Sequence, residues 1–241
     1  MFPRAWVSPS ASMPWPPHRQ EALELTLFRR LRDGAGPLWA GYVGHPFVRG
    51  LADGTLPDAA FRRYLTQDYL FLIHFVRAYA LAGYKSTRLD DLHAASAGMV
   101  ALLAEMKLHV AYCREWGLDE ASMAGEPEAI ETVAYTRFVL ERGTAGDLLD
   151  LHVALAPCVL GYAEIGAVLA PGAAAGTPYA AWIASYAGAE YQGAAHAAAQ
   201  ALERVGARSG ADARMADLQD AFNTAVRLET AFWDMGWRAG T

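Results

Sequence analysis

Long runs of 3.6-residue periodicity, with period-2 alternation nearly absent, constrain this chain more than any other feature in it. Apolar residues recurring every third or fourth position line one face of a helix, whereas a half-buried strand needs strict alternation. The chain therefore reads as all-α. Helices are expected near 20–33, 36–52, 58–84, 88–116, 127–142, 145–170, 178–206 and 211–237. The punctuation agrees. "ADGTLPD" reads as a turn, with Pro57 near a helix start and Asp58 in its first turn. "ERGTAGD" suggests Gly143 after one helix and Thr144 as the N-cap of the next. "LAPGAAAGTP" and "ARSGAD" mark two more stops.

With 241 residues, 54% of them hydrophobic, the chain can bury one large core. No linker demands a second domain and no repeat is visible, so residues 20–241 read as a single helical domain. Residues 1–19, "MFPRAWVSPSASMPWPPHR", are proline-rich and lack the apolar stretch of a signal peptide. They read as an extended leader. The formal net charge of −6 gives no sign of a nucleic-acid or membrane-surface partner. The longest apolar run is interrupted by His74 and Arg77, so no membrane span is expected. Cys113 and Cys158 are the only cysteines, too few for a disulfide framework, which points to the cytoplasm.

A helical bundle should keep its polar side chains outside. Here Asp68, Tyr69, His74, Glu105, His109, Tyr135, Tyr162, Glu164, Tyr186 and Glu229 stand among apolar neighbours. Burying such groups is costly unless they are paired or line a cavity. One stretch is unusual even so. "LHVALAPCVLGYAEIG", residues 151–166, carries Pro157, Cys158, Gly161 and Gly166 within a helical pattern. Pro157 removes a backbone donor, Gly161 removes a side chain, and Tyr162 stands one turn beyond the thiol. That combination suggests room beside a soft nucleophile, walled by an aromatic ring, as covalent attack on a flat, electron-poor ring requires. His152, six positions before the thiol, lies off its face, so proton transfer would fall to carboxylates on other helices. Cys113, in "HVAYCREWG", has no comparable context and reads as a buried hydrophobe.

The segments "HPFVRGLADGTLPDAAFRRYLTQDYLFLIHFVRAYALA", "AYTRFVLERG", "LAPCVLGYAEIG", "YAAWIASYAGAEY" and "RLETAFWDMGWR" resemble, in order, the TenA family, also called thiaminase II. The resemblance covers about residues 36 to 238. It implies a heme-oxygenase-like all-α bundle around a central pocket, a homotetramer, and no metal or organic cofactor. It further implies thiamin salvage: hydrolysis of 4-amino-5-aminomethyl-2-methylpyrimidine to the 5-hydroxymethyl compound and ammonia, with thiamin or the N-formyl precursor as further substrates. By motif, Cys158 resembles the nucleophile, Asp68 in "QDY" the carboxylate on the pyrimidine's amidine edge, and Glu229 in "ExxFW" the proton-moving glutamate. Tyr135, Tyr162 and Tyr186 resemble pocket tyrosines. Phe71 stands where many relatives carry a tyrosine, keeping the wall and losing a hydroxyl. Two other readings stay open: a metal-dependent oxidase on the same architecture, and a pyrimidine-binding or regulatory protein without chemistry. The first needs Glu-x-x-His pairs, which the chain lacks.

Overall fold

The computed structural model describes residues 26–240. Among them every regular element is helical: α1 (Thr26–Ala35), α2 (Pro37–Val43), α3 (Pro46–Asp53), α4 (Asp58–Lys85), α5 (Leu89–Glu115), α6 (Glu120–Gly125), α7 (Ile130–Ala145), α8 (Leu148–Leu169), α9 (Ala180–Ala187), α10 (Ala189–Arg208) and α11 (Met215–Arg238). The leader, residues 1–19, and the expected start of the first helix lie outside the described residues.

Two long expected helices are each broken in two. Residues 36–52 part at Gly44 and His45, because the residue before Pro46 is driven out of the helical region. His45 then caps α3, its Nδ1 accepting from the Phe47 amide at 3.1 Å. Residues 178–206 part at Gly188, where the backbone turns extended. The α7–α8 junction also departs from expectation. Gly143 lies buried inside α7, beside Leu81 and Leu151, and Thr144 spends its hydroxyl on the Leu140 and Glu141 carbonyls. The cap is Asp147, which accepts from the Asp150 amide while Asp150 accepts from the Asp147 amide. A reciprocal box satisfies two orphan donors where a lone threonine satisfies one.

Helices α4, α7, α8 and α11 pack on one another, with α5 against α4 and α10, and α2 across α8 and α11. Helix α8 is the centre: most of its residues from Leu149 to Gly166 are buried, and it runs on through Pro157. By length and hydropathy alone, Leu89–Glu115 and Leu148–Gly172 are apolar enough to cross a bilayer, as the core helix of a helical bundle also is. The second is this central helix. The first turns Leu89, Leu92, Val100 and Leu103 outward.

Candidate active site

The polar residues that stood among apolar neighbours divide into two sets. Tyr69, His74 and Glu164 serve the packing. The Tyr69 hydroxyl reaches Glu120, and His74 sits between Arg77, Arg137 and Glu128 at the surface. Glu164 ties α8 to α1 and α2 by accepting from Arg32 at 3.0 Å and from the Trp39 indole at 3.2 Å.

The second set closes around Cys158. Helix α11 brings Glu229, 2% exposed, against the thiol, and α7 brings Tyr135, whose hydroxyl donates to Glu229 Oε1 at 2.8 Å. Helix α4 brings Asp68 and, one turn earlier, Tyr64. The Tyr64 hydroxyl donates to Asp68 Oδ2 at 3.3 Å and accepts from the Trp182 indole at 3.2 Å. Helix α5 adds His109, whose Nδ1 lies 3.5 Å from Asp68 Oδ2 and whose Nε2 lies 3.0 Å from the Leu65 carbonyl. A carbonyl only accepts, so Nε2 carries the proton and Nδ1 faces the acid. Helix α9 supplies Tyr186, which donates to Glu105 Oε1 on α5 at 3.3 Å.

Aromatic rings wall this cluster. Tyr162 and Tyr186 meet edge-on with centroids 4.9 Å apart, and Tyr162 also packs on Trp182 and Trp233. Phe71 lies 5.1 Å from the Tyr135 ring and 5.6 Å from Phe232. All seven residues singled out from sequence thus lie at one place or against its wall, drawn from α4, α7, α8, α9 and α11.

The room expected beside Gly161 is occupied. A Cβ there would fall 2.4 Å from the Tyr42 ring, and Tyr42 donates its hydroxyl to the Pro157 carbonyl at 3.3 Å. The small residue admits an aromatic side chain from α2 and leaves no void. Tyr42 and Tyr64 were not singled out from sequence. Tyr64 was legible, one turn from Asp68; nothing in "WAGYVGHP" marks Tyr42. An open cleft of about 480 Å³ between α7, α8 and α11, lined by Arg142, Asp150, Arg214 and Thr224, contains none of these residues.

Electrostatics set the chemistry. Burial pushes the Cys158 thiol well above its ordinary range, and Glu229, Asp68 and Glu105 push it the same way. Burial raises Asp68 to about 7, against the Tyr64 hydrogen bond. Burial and the charge of Asp68 raise Glu105 to about 7. Burial raises Glu229 to about 8, opposed by the hydroxyl of Tyr135 and by the nearby Cys158 and Tyr42. A thiol among acids does not ionise unaided, but one hydrogen-bonded to a glutamate can pass its proton directly. A protonated buried carboxyl can also donate, which an aminopyrimidine edge needs beside an acceptor. Among the described residues no group of three or more His, Cys, Asp or Glu side chains is arranged to hold a metal ion.

Residues 32–239 match the TENA/THI-4/PQQC family model. The chain is 37% identical to the aminopyrimidine aminohydrolase of Halalkalibacterium halodurans, over 86% of this chain and 93% of that protein. It is 38% identical to an uncharacterized protein of Haemophilus influenzae, over 87% and 98%. The crystal structure of a TenA family transcription regulator from Silicibacter sp. TM1040 superposes with a TM-score of 0.84 at 46% identity, covering 88% of this chain and 96% of that one.

Proposed function

The chain belongs to the TENA/THI-4/PQQC family, and on that premise we propose that it is an aminopyrimidine aminohydrolase of thiamin salvage. It hydrolyses 4-amino-5-aminomethyl-2-methylpyrimidine to the 5-hydroxymethyl compound and ammonia. The observation that carries the reading is the half-buried Cys158 thiol set against the buried Glu229, with Asp68 in the same aromatic-walled cluster.

Displacing an amine directly from the methylene of an aromatic pyrimidine is slow. In the proposed route Glu229 takes the proton of Cys158, and the sulfur adds to ring carbon C6. Glu229 passes that proton to the ring nitrogen where negative charge builds. The interrupted ring then expels the 5-methylene ammonium as neutral ammonia, the C–N electron pair leaving with nitrogen. Water adds to that carbon, the sulfur leaves, and aromaticity returns. Asp68 holds the opposite N–C–N edge by two hydrogen bonds, Tyr64 and His109 keeping it in place. The rings of Phe71, Tyr135 and Tyr162 enclose the pyrimidine. Phe71 supplies a face without a hydroxyl, so Tyr135 and Tyr42 are the hydroxyls beside Glu229.

The reading extends to a homotetramer in the cytoplasm. The outward apolar side chains of α5 support a partner subunit, and the two free cysteines suit a reducing compartment. Light scattering on the purified protein reads the first.

Ammonia release from the aminomethylpyrimidine, with thiamin beside it, tests the enzyme. Wild type is expected to turn over, and Cys158→Ala to fold and lose at least about a thousandfold in rate. Normal turnover by Cys158→Ala removes the covalent route. Tight binding of the pyrimidine without turnover by wild type favours a binding protein.

A further inference from the structure

The proposed reaction uses two of the three acids that act on the Cys158 thiol, leaving the half-buried Glu105 without a task. Its placement is not that of a packing residue. It projects from α5 beside Asp68 and His109, and Tyr186 Oη, itself on the wall of the site, donates to its Oε1 at 3.3 Å. Its Oε2 takes no hydrogen bond among the described residues. No arginine or lysine stands among the groups that act on Asp68 or Glu105; His109 is the one basic side chain beside them, and burial disfavours its charged form. Three carboxylates around a thiol with no fixed cation form a site whose balancing charge arrives with the ligand.

The substrate has such a charge at one end only. Its ring edges are answered by Asp68 and Glu229, while the exocyclic amine is an ammonium near neutral pH, and thiamin carries a permanent thiazolium cation at the same carbon. Resting on the function proposed above, we propose that Glu105 receives the cationic leaving end of the substrate. The pairing also gives direction to the cycle. When the C–N bond breaks, its electron pair departs with nitrogen as ammonia, and water puts a neutral hydroxyl in its place. The product therefore lacks the charge that Glu105 held, and it binds less tightly than the substrate.

Calorimetric binding to the Cys158→Ala protein, which holds ligand without turning it over, separates the two ends. The aminomethyl and hydroxymethyl pyrimidines share one ring and differ in that charge. The Cys158→Ala protein is expected to prefer the aminomethyl compound. Adding Glu105→Gln lowers that preference by at least about tenfold and leaves hydroxymethyl affinity within about twofold. Glu105→Ser, smaller and equally uncharged, must show the same loss, and Glu105→Asp must restore part of the preference. If both pyrimidines bind and the preference survives both neutral variants, the assignment of Glu105 is wrong. If neither pyrimidine binds the Cys158→Ala protein, the hydrolase reading falls and this inference with it.

Discussion

Tyr135 shows how one hydroxyl sets the working range of the site. It donates to Glu229 at 2.8 Å and favours the ionised carboxylate, against the burial that raises that group to about 8. Tyr135→Phe keeps the ring against Phe71 and removes the donor, so the Glu229 pKa moves further up. Glu229 must be ionised to accept the thiol proton. The acidic limb of kcat/KM therefore shifts to higher pH, and activity at pH 7 falls roughly tenfold. A pH–rate profile checks this: a uniform loss with unmoved limbs would mean that Tyr135 only packs. Cys158, Asp68 and Glu229 could be picked out by residue type and motif. Glu105 and His109 could be picked out only as polar side chains in apolar company, because neither their task nor their partners follow from their own helix.

Within α8, Pro157 and Gly161 act together. The helix passes through the proline, and the glycine receives the Tyr42 ring from α2, whose hydroxyl returns to the Pro157 carbonyl. Gly161→Ala forces that ring away and is expected to cost about 1–3 kcal/mol. At this chain length that lowers Tm by several degrees. Combining it with Tyr42→Ala should cost less than the two separate losses summed, since the second change removes the clash. Thermal melts of the four proteins give the coupling. The odd composition of this helix was visible in sequence, but its meaning was inverted. A missing side chain leaves a void or admits a neighbour, and only the neighbour's position decides which.

For the whole molecule, three acids with raised pKa make stability depend on pH. Asp68, Glu105 and Glu229 hold their protons in the fold at pH values where the unfolded chain has lost them. Their contribution is complete below about 4 and is lost as pH rises through about 7 to 8. His152, lowered by burial to about 4, has the opposite slope: it costs stability in acid and regains it as pH passes the unfolded value. The net profile is their sum, so the acids are best read by difference. Glu229→Gln should match wild type near pH 5 and melt higher by several degrees at pH 8, the gap growing by at most about 1.4 kcal/mol per pH unit. A constant gap across that range would mean that Glu229 is ionised in the fold throughout.

Local spacing was enough for the fold class and for most helix positions, since a helix is written in contacts three and four residues apart. It was also enough for the family resemblance and for the residue types that could do chemistry. It erred where caps compete, at Gly143 and Thr144, and where one backbone break divides a periodic run, at Gly188. The site itself is a matter of distant pairs: Tyr135 meets Glu229 across 94 residues, and Tyr186 meets Glu105 across 81. Which acids share the thiol's surroundings, which ring fills the space at Gly161 and which carboxylate keeps an oxygen free of hydrogen bonds depend on how these helices cross. Periodicity shows which face of a helix is buried and leaves open what it is buried against, so those answers belong to the tertiary structure alone.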